Sequence, residues 1–229
     1  MRRLGLALLA STAFVGAAAA ADIQQARPVY KAPVLAPVSV YNWTGFYVGA
    51  NVGYGWGRQD VSLDGFGSVG SANLNGVIGG GQIGYNWQVN QWVFGLETDF
   101  QGSGQKGDGG VSGVAAYTNK LDWFGTVRGR VGYAFDRWLP YVTGGWAYGH
   151  GDLSGTVTGV GGFSGSNTYS GWTVGGGLEY AFLNNWSAKL EYLHIDFGDG
   201  PSVAVVPGTN ISGGKLRDDI MRVGLNYKF

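Results

Sequence analysis

Charged side chains recur at every second position in several segments that are otherwise apolar or small. The acids of this set are Glu97, Asp99, Asp122, Glu179 and Glu191, and the bases are Arg128, Arg130, Lys189, Arg222 and Lys228. Residues two apart in an extended chain share a face, so we expect all ten side chains to point into one interior. Buried charges must be paired or they cost several kcal/mol each. The pattern therefore favours a plug of ion pairs, and a path for ions or protons is the alternative.

Two His-x-Asp sequences could carry other chemistry. His150 and Asp152 form the first pair, and His194 and Asp196 form the second. In a strand each pair would share a face and could act as a general base or as metal ligands. No Ser or second carboxylate has an obvious place beside either pair, so we interpret them as solvated residues near strand ends. We predict no catalytic site, no metal site and no cofactor.

Residues 79–84 match the glycine pattern G-x-G-x-x-G of dinucleotide-binding loops. That function requires a strand before the pattern and a helix after it. Here a strand-like alternation continues through Tyr85 and Trp87 into a turn. The glycines are better explained as relief of crowding in a narrow, curved wall.

Eight segments alternate between apolar and polar residues, and the clearest of them is the last. Met221, Val223 and Leu225 lie on one face of that segment, and Arg222 and Asn226 lie on the other. Period-two alternation predicts a β-strand. A strand at the edge of a sheet leaves backbone groups unpaired, and other chains can pair with them. No such edge remains if the last strand closes a barrel by pairing with the first strand, near Phe46.

The direction of the two faces and the lengths of the connections distinguish a membrane barrel from a soluble one. The apolar face is large and aromatic, while the polar face carries charges, which suits a barrel that faces lipid outward. Short predicted turns alternate with long predicted loops; the turns are 88–91, 136–139 and 183–185, and the loops are 58–75, 102–120, 151–170 and 198–215. We therefore predict an all-β, eight-stranded antiparallel transmembrane barrel with short periplasmic turns and four long extracellular loops.

Aromatic residues crowd the strand ends beside the predicted short turns. These residues are Trp87, Trp92, Phe135, Trp138, Phe182 and Trp186. Amphipathic rings favour the headgroup level of a bilayer, so we predict that they form the periplasmic aromatic girdle.

Composition narrows the class of protein further. The chain has 229 residues, 44 Gly, 9 Trp and no Cys, with 13% charged residues and a formal net charge of zero. The absence of a basic stripe argues against a nucleic-acid partner. The absence of Cys excludes a disulfide scaffold, and the aromatic content is unlike that of disordered chains.

The N-terminal region divides into two segments before the barrel. Arg2 and Arg3 precede an apolar stretch and a run of alanines, which predicts a signal peptide over residues 1–21. Pro28, Pro33 and Pro37 then recur in residues 22–42, which predicts an extended periplasmic linker. The barrel is assigned to residues 43–229. The linker is interpreted as a spacer, with binding to a periplasmic component such as peptidoglycan as the alternative.

Several segments resemble a known family. They are WTGFYVGA at 43–50, GGGQIGYN at 79–86, GLE at 95–97, YVTGG at 141–145 and LEY at 190–192. Together they are similar to the small outer-membrane β-barrel proteins of alphaproteobacteria, which are related to opacity-protein-like porins. The resemblance implies an abundant surface protein in the outer membrane of a Gram-negative bacterium. It also implies that Phe229 is part of the signal read by the barrel-assembly machinery.

We expect a non-enzymatic barrel that supports the envelope and presents surface loops. Outer-membrane lipid and lipopolysaccharide are its expected partners. A narrow porin for small solutes, a surface receptor using the long loops, for example for haem, and an enzyme at the barrel rim are the alternatives. The family resemblance covers proteins described in several of these ways, so it does not separate them.

Overall fold

The computed structural model describes residues 41–63, 67–111, 115–159, 161–199, 202–206 and 209–229. The predicted signal peptide, residues 1–21, lies outside the described residues, as does the predicted linker up to residue 40. Tyr41 and Asn42, which the sequence analysis assigned to the linker, belong to the described part. They form one compact unit with the barrel.

Within the described residues, nine antiparallel strands form one sheet. They are β1 (Gly45–Leu63), β2 (Gly67–Val89), β3 (Trp92–Val111), β4 (Ala115–Tyr133), β5 (Trp138–Val157), β6 (Gly161–Ala181), β7 (Trp186–Asp199), β8 (Ser202–Val206) and β9 (Thr209–Lys228). The strand order is sequential up to β7, and β9 follows β7 in the sheet. The short β8 pairs with β9 alone, so eight strands make the wall. The described residues contain no helix long and apolar enough to cross a membrane.

The pairing of β1 with β9 closes the wall. Val52 lies opposite Val223, and Tyr47 lies opposite Lys228. The backbone N–H of Phe229 donates to the carbonyl oxygen of Phe46 at 3.0 Å. The predicted eight-stranded antiparallel barrel is therefore confirmed, and its expected closing pair of strands is the observed one.

The four predicted long loops are mostly strand in the structure. For example, β3 and β4 remain paired from Gly107 with Asn119 to Val111 with Ala115, inside the predicted loop 102–120. The prediction relied on Gly, Ser, Asn and Asp as loop residues. Ladder hydrogen bonds use backbone groups alone, so these residues can continue a hairpin. We call this side of the barrel the long-hairpin end and the opposite side the short-turn end.

The two faces of the wall have opposite chemistry. Outward positions in the middle of the barrel are apolar and exposed, as for Val52, Leu96, Val142 and Val223. The six predicted girdle residues all lie on this outer surface at the short-turn end, with exposed fractions from 41% to 60%. Inward positions at the same level are mostly polar, charged or glycine. This is the arrangement of a barrel that faces lipid outward.

A β-bulge in β4 changes which residues face inward. The pairing of β4 with β5 shifts between Leu121 and Trp123, where Asp122 is the extra residue. An extra residue reverses the alternation beyond it. Leu121 is therefore buried in the interior and Asp122 is exposed, the opposite of the arrangement that strict alternation predicted.

Candidate functional site in the barrel interior

Arg128, on β4, lies at the centre of the charges inside the barrel. Its guanidinium contacts three carboxylates: Nη2 contacts Glu97 and lies 2.9 Å from Asp99 Oδ2, and Nη1 lies 3.0 Å from Glu191 Oε1. The Nε of Arg128 also donates to Thr126 Oγ1 at 2.9 Å. One cation thus joins acids from β3 and from β7.

Arg222, on β9, reaches the same three carboxylates from the other side of the interior, with its Nη2 3.7 Å from Glu97 Oε1. Its Nη2 lies 2.8 Å from Asp99 Oδ2 and 2.6 Å from Glu191 Oε2. Its Nε donates to Glu191 Oε2 at 2.7 Å. Asp99 and Glu191 are therefore each shared between two arginines.

Lys189 and Arg130 extend the cluster toward the short-turn end. Lys189 Nζ lies 2.9 Å from Glu97 Oε2, and Arg130 Nη2 lies 2.6 Å from Glu179 Oε2. The guanidinium carbon of Arg130 also lies 4.2 Å from the centre of the Tyr141 ring, a distance typical of cation–π contacts.

Eight of the ten predicted charges thus form one connected cluster, which we call the charge network. Its members are Glu97, Asp99, Arg128, Arg130, Glu179, Lys189, Glu191 and Arg222. Each is at most 3% exposed. Four acids balance four bases, so the network carries no formal net charge.

The other two predicted members, Asp122 and Lys228, are not part of this network. Asp122 is exposed because the β4 bulge turns it outward. Lys228 lies at the short-turn end, where its Nζ donates to the backbone carbonyl of Asn42 and lies 4.4 Å from the centre of the Tyr41 ring. Lys228 occupies an inward position of the strand, as predicted. It lies too close to the barrel mouth for its side chain to reach the acids of the network.

Several uncharged side chains complete the network, and the sequence analysis did not include them. Tyr47 donates to Glu97 Oε2 at 2.7 Å, and Tyr141 donates to Glu191 Oε1 at 2.9 Å. Ser187 and Asn226 both donate to Glu179 Oε1, at 2.5 and 2.8 Å. Strand alternation could have identified all four, since each occupies an inward position; attention to charge alone missed them.

An apolar cluster lies in the interior on the long-hairpin side of the network. It comprises Leu74, Ile78, Leu121, Phe124, Ala147, Tyr169, Leu193, Ile195, Phe197, Leu216 and Ile220. We call it the upper cluster. Phe124, Leu193 and Ile220 have no exposed surface. Asn119 and Asp218 are buried on the same inward faces, so this half of the barrel interior combines apolar packing with buried polar groups.

A smaller apolar cluster lies at the short-turn end. Its members are Tyr41, Trp43, Val93, Ala134, Leu139 and Ala181, and we call it the mouth cluster. Trp43 is 2% exposed, and its indole N–H donates to the carbonyl of Asp136 at 3.0 Å. Burial raises the pKa of the Tyr41 hydroxyl, so Tyr41 is a neutral ring in contact with Lys228.

The two His-x-Asp pairs do not act as pairs. The ring of His150 stacks on Trp123 with 5.7 Å between ring centres. His194 Nδ1 lies 2.7 Å from Asp219 Oδ1, while Asp196 contacts Arg217. Among the described residues, no group of three or more His, Cys, Asp or Glu is placed to hold a metal ion.

The glycine pattern at 79–84 lies inside β2, which continues to Val89. A strand therefore follows the pattern where a dinucleotide site needs a helix. Gly84 and Gly80 point inward, where a Cβ atom would lie 2.4 Å from atoms of Tyr47 and 2.7 Å from Gln101 Oε1, respectively. The glycines leave room for the side chains that fill the interior.

Known proteins resemble this chain along its length. Residues 6–229 match the family described as outer membrane protein beta-barrel domain. The 31 kDa outer-membrane immunogenic protein of Brucella melitensis is 41% identical, over 97% of this chain and 98% of its own. The 25 kDa outer-membrane immunogenic protein of Brucella canis is 33% identical, over the whole of both chains. The crystal structure of OprG from Pseudomonas aeruginosa is 15% identical with a TM-score of 0.48, covering 82% of this chain and 98% of its own.

Proposed function

The chain belongs to the outer membrane protein beta-barrel family, and from this premise we propose that it is a non-enzymatic structural barrel whose interior is closed to solutes. It lies in the outer membrane of a Gram-negative bacterium. In this proposal its outer wall supports the lipid layer and its hairpins present a surface outside the cell. Lipid, lipopolysaccharide and the barrel-assembly machinery are the proposed partners, with peptidoglycan as a further partner of the linker.

The observation that carries the proposal is the buried, balanced charge network between two apolar clusters. A solute would have to pass the mouth cluster, then the network, then the upper cluster. An eight-stranded barrel is only wide enough for side chains to fill it. The side chains of Arg128, Arg222 and Asp99 have no exposed surface, which supports a filled interior over a water-filled channel.

The network also explains how so many charges can be buried. The cost of burying an ion is offset only when partners and hydrogen bonds satisfy it. Glu97 receives hydrogen bonds from Tyr47 and Lys189, and Glu179 receives them from Ser187 and Asn226. Because the network links β3, β4, β6, β7 and β9, it fixes opposite sides of the wall relative to each other.

A narrow conducting path is the second candidate, and a specific observation favours it. Within the described residues, some buried polar atoms of the interior have no hydrogen-bond partner, including both amide atoms of Gln101 and Asp99 Oδ1. Gln101 lies between the network and the upper cluster. A path for water or protons along such groups would make the barrel a low-conductance pore.

Single-channel recording separates the two candidates. Purified protein is inserted into planar bilayers in symmetrical KCl, with an Arg128→Ala variant recorded in parallel. A closed barrel gives a flat baseline for the wild-type protein. Discrete conductance steps in the wild-type protein, with an ion selectivity that changes in Arg128→Ala, would establish the pore and reject the closed barrel.

A further inference from the structure

Beyond the apolar band, the outward side chains of the hairpins differ in chemical type from one row to the next. Register across the strands places the relevant side chains in three rows. The aromatic row contains Trp123, His150 and Thr168. The lysine row contains Lys106, Lys120, Asp152 and Ser166. The hydroxyl row contains Asp108, Thr118, Ser154 and Ser164.

We propose that these rows form a docking site for a phosphorylated glycolipid of the outer leaflet, namely lipopolysaccharide. Its acyl chains would lie against the apolar band, a phosphate would lie at Lys106 and Lys120, and its sugars would lie on the hydroxyl row. The order of the three rows matches the order of acyl chain, phosphate and sugar in such a lipid. The site depends on the barrel's place in the outer membrane and is independent of whether the lumen is closed.

The two lysines supply the first argument. Lys106 on β3 lies directly opposite Lys120 on β4, and both side chains are exposed. Like charges directly opposite each other destabilise a sheet, and no ion pair among the described residues includes either lysine. A phosphate between the two ammonium groups would remove this repulsion and form charge-assisted hydrogen bonds.

The acids around the lysines fix where the phosphate can lie. Asp152 is the cross-strand neighbour of Lys120 on the β5 side, and Asp122 is exposed in the bulge of β4. Asp108 lies two residues beyond Lys106 on the same face, but its carboxylate accepts a hydrogen bond from Thr118 in the hydroxyl row. The phosphate is therefore expected between Lys120 and Lys106, on the β3 side.

A polar groove supplies the second argument. Its volume is about 560 Å³, and it is lined by Asp108, Gly109, Ala116, Tyr117, Thr118, Ser154, Gly155 and Thr156. Thr118 Oγ1 donates to Asp108 Oδ1 at 2.8 Å. Hydroxyl and carboxylate groups can both exchange hydrogen bonds with sugar hydroxyls.

The same row fits a sugar better than a protein. Protein interfaces depend on buried aromatic or arginine anchors surrounded by drier contacts. The outward residues of the hydroxyl row are short and polar, as in Thr118, Ser154 and Ser164. They offer many hydrogen bonds and little apolar area.

The first test removes the lysines. The variant Lys106→Ala/Lys120→Ala and the wild-type protein, both in detergent micelles, are titrated with purified lipopolysaccharide, with its dephosphorylated form and with phosphatidylglycerol. Lys215→Ala/Arg217→Ala is the matched control, because it removes two positive charges from β9. Heat-modifiable gel mobility checks that every variant is folded.

We expect the lysine variant to bind lipopolysaccharide at least about tenfold more weakly, the change produced by losing charge-assisted hydrogen bonds. Dephosphorylation of the lipopolysaccharide should weaken its binding to the wild-type protein to the same extent. It should leave its binding to the lysine variant unchanged. An equal loss in the β9 control, or equally tight wild-type binding to phosphatidylglycerol, would show general attraction to anions and overturn the proposal. Unchanged binding by the lysine variant would also overturn it.

The second test addresses the sugar. Thr118→Val/Ser154→Ala removes two hydroxyls with little change in volume. This variant should bind full-length lipopolysaccharide more weakly than the wild-type protein, but should bind a form truncated to lipid A equally well. Equal losses for the two lipids, or no loss for either, would remove the sugar from the proposed site.

Discussion

The guanidinium of Arg128 donates across the barrel interior to the carboxylate of Glu191, with 3.0 Å between Nη1 and Oε1. Arg128 is on β4 and Glu191 is on β7, and β5 and β6 separate these strands in the wall. The bond therefore crosses the barrel instead of following the wall. Both side chains are buried, so each supplies a counter-charge to the other inside the barrel.

Replacing Arg128 with Ala should lower the free energy of unfolding by roughly 3–5 kcal/mol, because it leaves buried carboxylates short of a cation. Urea unfolding in lipid vesicles, followed by tryptophan fluorescence, measures this loss. Arg217→Ala is the control, since the side chain of Arg217 is 54% exposed, and it should cost about 1 kcal/mol or less. Similar small losses for both variants would indicate a water-filled interior.

Gly84 and Gly79 lie on the same strand but face opposite sides of the wall. A Cβ at Gly84 would lie 2.4 Å from atoms of the Tyr47 ring, whereas the nearest atom to a Cβ at Gly79 is 3.7 Å away. Gly84→Val should therefore displace Tyr47 from Glu97 and cost about 1–3 kcal/mol through overpacking. Gly79→Val should be close to neutral in the same unfolding assay. A larger loss of stability for Gly79→Val than for Gly84→Val would show that the interior is not packed around Tyr47.

Deleting Phe229 should lower the yield of protein in the outer membrane. The expectation comes from the aromatic terminal strand and from the backbone bond of Phe229 to Phe46. Quantitative blotting of outer-membrane fractions measures the yield. A Ser164→Ala variant in the β5–β6 hairpin is the comparison and should accumulate normally. Equal yields for the two variants would count against a role of Phe229 in assembly.

Trp43→Ala should reduce stability without opening a channel. Trp43 is buried in the mouth cluster, and truncating a buried Trp typically costs about 3–5 kcal/mol. The charge network and the upper cluster remain in the path of any ion, so planar-bilayer recordings of this variant should stay flat. Conductance in Trp43→Ala alone would mean that the mouth cluster is the main barrier and that the network is permeable.

Alternation in the sequence was enough to predict the barrel, its closing strands and the inward direction of residues such as Glu97 and Arg222. It failed for Asp122, because a bulge reverses the two faces and leaves no mark in residue spacing. It also failed for the ends of the hairpins, since backbone pairing continues through Gly and Ser as readily as through Val. The burial of Trp43 depends on contacts with Gln88 and Asp136, which are distant in sequence.

The seam between β1 and β9 has a consequence for the rate of folding. The chain passes from β7 to β9 through the short strand β8, and a hairpin joins every other pair of consecutive strands in the wall. The seam instead pairs the first strand of the barrel with the last one. Contacts so distant in sequence carry a large loop-closure entropy and slow folding. Closure of the seam is thus expected to be the kinetic bottleneck, during which β1 and β9 both remain open edges that other chains could pair with.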